Sequence, residues 1–377
     1  MPIVYTLSVC GRVILDLHNL NNEGTEGNQQ MTRMVWVVVK DQAGKPSLRN
    51  VNAISGDMLK HIQAEHLHKL AIEQHSINAA SFPLSEGALV CDANRINSAA
   101  DKLPTGFWGK LEQQINARVA EEETKQQEEL NAIKDEKERT KRKKEIKKEI
   151  IKSGNLVRSN VDLISGILQS CAVTDLEGTL VTAEVTGEGR SLSRRSCIEF
   201  GWGVGLPDLT RSESLFHVKY DPRERGEGAG SDTPQQAIFY RPLNSGVYAI
   251  VAHAELFRIG RNDITLQYAV GRDDRRLRAK ALLESLWYTF VKTAGAQRNT
   301  QHPHVLGWEG TIAYSSNLAV PAPTASPLEE DFTNQVEKSK KALNKLHQNA
   351  VTVLPFGSQA EFGDKISDLI EQLEVPV

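Results

Sequence analysis

Apolar and polar residues alternate through Ile3, Tyr5, Leu7 and Val9 and run on into Val13, Ile14 and Leu15, so residues 2–16 read as a β-strand. Residues 34–40, Met-Val-Trp-Val-Val-Val-Lys, read as a second strand. Between them lies a stretch from Asn19 to Asn28 that is rich in asparagine and glycine and too polar to bury, so it is expected as a surface loop. From residue 57 to about 75 the apolar positions Leu59, Ile62, Leu67, Leu70 and Ile72 favour a helix. Ser55-Gly56-Asp57 is its start, with small capping residues and an acid in the first turn. Backbone N–H groups there form an anion site, with Lys60 and His61 one turn further along. Residues 157–171 read as a helix leading into two short strands around a turn at 172–181. Further strands are expected at 197–204, 237–240, 246–256 and 305–314. Residues 273–294 read as a helix with the apolar stripe Leu277, Leu282, Leu283, Leu286 and Phe290 and with Arg275, Arg276 and Arg278 exposed. Residues 321–327 are a Pro- and Ala-rich linker. Two amphipathic helical stretches separated by residues 352–356 close the chain.

The pattern breaks from about residue 103 to 153. Residues 111–119 look helical, and 121–150 are almost continuous Glu, Lys, Arg and Gln, which predicts a projecting helix or a partly disordered insertion. Acids dominate its first half and bases its second; such a run is more often a solvated face than a phosphate contact. Residues 187–196 are small, polar and basic, and they precede Phe200 and Trp202. Charge beside aromatics suits the holding of a nucleic-acid strand, although for this segment by itself a surface hairpin with core aromatics is the better reading.

Composition narrows the class. The chain has 377 residues, 40% hydrophobic and 25% charged, with a net charge of −3, as in a soluble globular protein of two to three domains' worth of material. Acids concentrate beyond residue 327 and arginines between 258 and 298. Cys10, Cys91, Cys171 and Cys197 show no C-x-x-C spacing, so neither a zinc knuckle nor a disulfide framework is expected. No signal peptide and no apolar run of about 20 residues is evident, so the reading is cytoplasmic, with no membrane partner. P-loop, dinucleotide-binding, G-x-S-x-G and H-E-x-x-H patterns are missing. His61, His66 and His68 do not share one helical face, and neither they nor His302 and His304 have an accompanying acid or thiol cluster, so no metal site is expected. Glu23 and Glu26 have no evident activated partner. The reading is a non-enzyme without catalytic residues or cofactor.

Several blocks taken together resemble a known family. They are Gly11…Asn19 to Gly27-Asn28 with Arg33; Ala53-Ile54-Ser55-Gly56…Leu59-Lys60-His61; Asp175-Leu-Glu-Gly-Thr-Leu180; Arg194-Arg195-Ser196-Cys-Ile-Glu-Phe200-Gly201; Ser245-Gly246-Val-Tyr248…Arg258-Ile-Gly260; and Gly295-Ala296…Arg298. This order resembles the DevR-like backbone subunits, of the RAMP superfamily, in type I CRISPR interference (Cascade) complexes. The resemblance implies an α+β fold: an RRM-like (ferredoxin-like) palm with a helical insertion and a β-hairpin thumb. Carried onto this chain, it places the palm at 1–103, 156–185 and 245–320, the charged insertion at 104–155, the thumb at 186–244, and a linker and helical tail at 321–377.

The same resemblance implies a ribonucleoprotein of antiviral defence in which copies polymerise as a helical filament along CRISPR guide RNA. Guide bases would then pair with target DNA while the protein holds the backbone, in company with other Cascade subunits. The implied RNA-binding residues are Asn19, Asn21, Gly27, Asn28, Arg33, Ser55, Gly56, Lys60, His61, Arg194, Arg195, Phe200 and Arg298. Two alternatives stand beside it. One is a subunit that cuts bound target RNA with Asp16, Glu23 or Glu26, and the other is a free-standing CRISPR-associated transcription regulator.

Overall fold

The computed structural model describes residues 2–40, 44–92, 117, 119–152, 155–181, 192–220 and 236–377. Its strands are β1 (Thr6–His18), β2 (Asn22–Glu26), β3 (Gln29–Thr32), β4 (Met34–Lys40), β5 (Pro46–Ile54), β6 (Thr179–Val181), β7 (Leu192–Arg194), β8 (Ile198–Phe200), β9 (Gly203–Tyr220), β10 (Gln236–Glu255), β11 (His304–Ser315) and β12 (Val351–Phe356). The fold is α+β. It divides into two compact units: residues 1–64, 199–254 and 283–372, and residues 65–198, 255–282 and 373–377. No described helix is long and apolar enough to cross a membrane. Of the expected segments, 104–116, 182–191 and 221–235 lie outside the described residues.

The first unit is built on one large sheet in the order β12-β11-β1-β10-β9-β5-β4. Leu7, Val9, Val13 and Leu15 of β1 and Trp308 and Ile312 of β11 are buried, as the alternation required. Trp308 stacks on Phe290 at 4.5 Å between ring centres and meets Phe356 and Phe362 edge-on or tilted. The stretch expected as a C-terminal tail belongs to this core. Residues 351–356 pair with β11 in register Gly310↔Phe356 to Ser315↔Val351, and Val351 and Val353 pack with Phe332 and Val336.

Two strand expectations change. Residues 237–240 and 246–256 form one continuous β10, antiparallel to β9 from Gln236↔Tyr220 to Gly246↔Thr210 and, after a bulge, at Tyr248↔Gly205. Asn244 pairs with Ser212 in this ladder, and the Ser212 hydroxyl donates to its Oδ1 at 2.7 Å. The expected loop 19–28 is partly a hairpin: β2 and β3 pair from Asn22↔Thr32 to Glu26↔Gln29, and Gly27 supplies a left-handed turn residue at φ +57°.

The second unit is mainly helical, with helices at Gln127–Ala132, Glu136–Lys152, Asn155–Ser170 and Ala172–Glu177 and the small β6–β7 ribbon. The last of these helices corrects the expected strand at 172–177. All six of its residues are buried, so no polar face was left to reveal the helical period. Arg275 and Arg278, expected on the surface, are also buried. Arg275 lies 3.6 Å over the Tyr268 ring and donates to the Pro376 carbonyl, while Arg278 donates to the Leu168 carbonyl and to Asp175.

Candidate nucleic-acid interface

A polar core in the first unit fastens the N-terminal hairpin. Asn52 donates from Nδ2 to the Arg33 carbonyl and to Thr32 Oγ1, both at 3.0 Å, which leaves its Oδ1 to accept the Tyr248 hydroxyl at 2.7 Å. With that hydroxyl proton committed, His18 Nε2, 2.9 Å from the Tyr248 oxygen, must carry the imidazole hydrogen. Asn244 Nδ2 donates to the His18 carbonyl and to Thr32 Oγ1, and Thr32 in turn donates to the Asn21 carbonyl. Each donor and acceptor in this chain is thereby given one direction.

Burial pushes the His18 pKa down to about 3, and its Nδ1 has no hydrogen-bond partner among the described residues. Between pH 6.5 and about 3 the unfolded chain therefore takes up a proton that the folded chain refuses, so stability falls as pH falls through this window, by up to about 1.4 kcal/mol per pH unit. His18→Gln should flatten that part of the profile. Urea unfolding at several pH values checks this, and an unchanged slope in the variant would discount the neutral imidazole.

The hairpin, the start of the Gly56–Ile77 helix, β8 and the 295–298 turn converge. Ser55 caps the helix by accepting from Met58 N at 3.1 Å, and its own N–H donates to Asn21 Oδ1 at 2.8 Å. A Cβ on Gly56 would come within 2.5 Å of the Phe200 carbonyl oxygen, so only glycine allows β8 this close. Ala296 N donates to the Leu20 carbonyl and Gln297 N to that of Asn19, which seats the turn on the strand exit. From that turn Arg298 Nη2 reaches His61 Nε2 at 3.3 Å. Arg33 lies 5.6 Å over the Trp202 ring and 3.3 Å from Glu23, while Lys60 bonds Gln63 on its own helix. The Asn28 carbonyl accepts from Tyr240 N, which ties the turn to β10. Gly27, Asn28, His61 and Arg298 are exposed, and Arg33, Lys60 and Phe200 half-buried.

Five residues expected at the RNA surface are placed differently. Arg194 is a core residue of the second unit. Burial alone would lower its pKa, but the carboxylate charges of Asp175 and Asp263 outweigh that and raise it. Its guanidinium bonds Asp175 at 2.5 Å, Asp263 at 2.8 Å and the Arg258 and Arg261 carbonyls, so no phosphate can reach it. Asn19 is fully buried, and its amide atoms have no hydrogen-bond partner among the described residues. Asn21 and Ser55 spend their polar atoms on each other and on the cap. Arg195 is exposed in the second unit, and its carbonyl accepts from Arg258.

Residue typing alone missed the polar core of His18, Asn52, Asn244 and Tyr248; its one signal was polar residues at inward-facing strand positions. Among the described residues, no group of three His, Cys, Asp or Glu side chains comes together to hold a metal ion.

The family described as CRISPR-associated negative auto-regulator DevR/Csa2 matches residues 9–102 and 107–337. No curated protein matches the sequence. Among solved structures, a chain of a "CRISPR RNA-guided surveillance complex, pre-nicking" is similar at TM-score 0.42 and 12% identity, over 96% of this chain and 99% of that one. A chain of a "CRISPR RNA-guided surveillance complex" is similar at TM-score 0.40 and 10% identity, over 97% and 99%. Csc2 from Thermofilum pendens follows at TM-score 0.34 and 11% identity, over 99% and 91%.

Proposed function

Since the chain belongs to the DevR/Csa2 family of CRISPR-associated proteins, we propose that it is a backbone subunit that binds CRISPR guide RNA, repeats along it, and leaves the guide's bases to pair with target DNA. The observation that carries this is the convergence within one unit of Arg33, Lys60, His61 and Arg298 with Asn28, Phe200 and Trp202, on elements that the polar core holds in place. These groups take phosphates by charge and bases by stacking. The strand order β11-β1-β10-β9, with the Gly56–Ile77 helix between β1 and β9 and the Arg272–Val291 helix between β10 and β11 in the chain, supports an RRM-like palm. The long β9–β10 hairpin is the natural thumb. Contact with further copies and with other subunits of the complex follows from the same reading.

Purified from its host, the protein should carry a uniform population of short RNAs with constant ends. Recovery as a discrete RNA-free dimer would favour the transcription regulator that the family description suggests. The subunit is proposed to be non-catalytic, Glu23 serving as the partner of Arg33. Regular cutting of labelled complementary RNA in magnesium would overturn that point.

A further inference from the structure

The family match ends at residue 337, and residues 338–377 finish the edge of the large sheet with a surface that the guide-RNA reading does not use. The Phe332–Leu346 helix packs through Phe332 and Val336 on Cys10, Ala313 and Val353. The Gln359–Glu371 helix packs through Phe362 on Phe290, Trp308 and Phe356. Val353 and Phe356 are three residues apart on β12 and so point to opposite faces of the sheet. One helix therefore covers each face of the β12 edge. The backbone edge between them is closed to a further strand. Asn344 donates from Nδ2 to the Val351 carbonyl and accepts the Val351 N–H, both at 2.8 Å, and Pro355 has no N–H to offer.

Each helix carries an outward row of like charge. Lys338, Lys341 and Lys345 on the first, and Asp364, Asp368 and Glu371 on the second, are all exposed. None of the six charged groups has a hydrogen-bond or ion-pair partner among the described residues. Each triplet falls within about 60° around its helix, at successive rises of about 4.5 and 6 Å. Read in opposite directions the rows have the same spacing, three residues then four, from Lys338 to Lys345 and from Glu371 to Asp364. Laid antiparallel, the helices would bring Lys338 to Glu371, Lys341 to Asp368 and Lys345 to Asp364, and the helix dipoles favour the same orientation. Because the rows lie on opposite faces of one sheet, they cannot meet within a chain. They can meet between two copies, as a head-to-tail contact that leaves a free row at each end.

We propose that the lysine row of one copy docks on the acid row of the next and fixes orientation and register between neighbours. This rests on the proposed function only for the expectation that copies stand side by side. Exposed ion pairs are individually weak and screened by salt, so the contact selects an arrangement and does not drive assembly alone. The test is sedimentation of the full-length chain, freed of RNA by nuclease, over a range of protein concentration at low salt and at about 1 M salt, where the screening length is about 3 Å. Low salt should show reversible self-association that high salt removes. The Lys338→Glu, Lys341→Glu, Lys345→Glu variant and the Asp364→Lys, Asp368→Lys, Glu371→Lys variant should each self-associate at least about tenfold more weakly, since like charges then face each other. An equimolar mixture of the two, and a chain carrying all six changes, should regain association close to wild type. A wild-type chain that stays monomeric at every concentration overturns the proposal, as does either variant associating like wild type. So does a mixture and six-change chain that remain as weak as the variants. Weakening in the lysine variant alone, accompanied by weaker RNA binding, would make that row a phosphate contact and overturns it too. RNA-free recovery from the host would count against the guide-RNA reading and does not enter this measurement.

Discussion

Arg33→Glu, Lys60→Glu and Arg298→Glu combined in one chain should abolish RNA co-purification and weaken binding of single-stranded RNA by more than about a hundredfold. Each charge-assisted phosphate contact contributes about 1 kcal/mol or more, and reversal adds repulsion to the loss. The salt dependence should flatten by about 0.7 per contact removed, the value for single strands, whereas a merely misfolded chain would lose binding without that graded change. All three side chains lie on the convergent elements of the first unit, with Arg298 against His61 and Arg33 over Trp202, so the variant tests the site as a unit. Arg33 is half-buried, and the Lys60→Glu, Arg298→Glu pair provides a milder version should the triple variant unfold. RNA yield at wild-type level in a chain with a native circular-dichroism spectrum would refute the contact assignment.

Asp175→Asn should cost about 3–5 kcal/mol of stability, which for a protein of this size lowers the thermal midpoint by on the order of 10 °C. The Asp175 carboxylate is wholly buried and sits between two arginines that are themselves buried, Arg194 at 2.5 Å and Arg278 at 2.8 Å. Both of its oxygens also accept the Gly260 N–H, at 3.0 and 2.9 Å. The amide keeps the shape but removes the charge and turns an NH2 group toward guanidinium donors, leaving Arg278 without a carboxylate partner and Arg194 with Asp263 alone. Thermal unfolding followed by circular dichroism measures the effect, and a midpoint within a degree or two of wild type would show that solvent reaches the cluster. Nucleic-acid binding is not the readout, since Arg194 is spent inside the second unit.

Periodicity and composition by themselves determined the local elements: the strands at 6–18, 34–40 and 304–315, the helices at 56–77 and 272–291, and the capped Ser55-Gly56 start. These are set by side chains a few residues apart, and in all of them except the 34–40 strand an apolar stripe marks the buried face. The blocks that carry the family resemblance were legible for the same reason, being short and contiguous. Tertiary structure alone decided what the polar residues do. An arginine in a helical pattern reads as solvated until a carboxylate far along the chain meets it, as Asp175 meets Arg278 across 103 positions. Arg194 therefore moved from the expected RNA surface to the core. Asn19 went inside although its neighbours Gly27 and Asn28 stay exposed, and residues 351–356 became a sheet strand because β11 had an open edge for them to pair with. Burial of the Arg194 and Arg278 charges is repaid by partners that only the folded chain brings into reach, and a linear pattern carries no record of those partners.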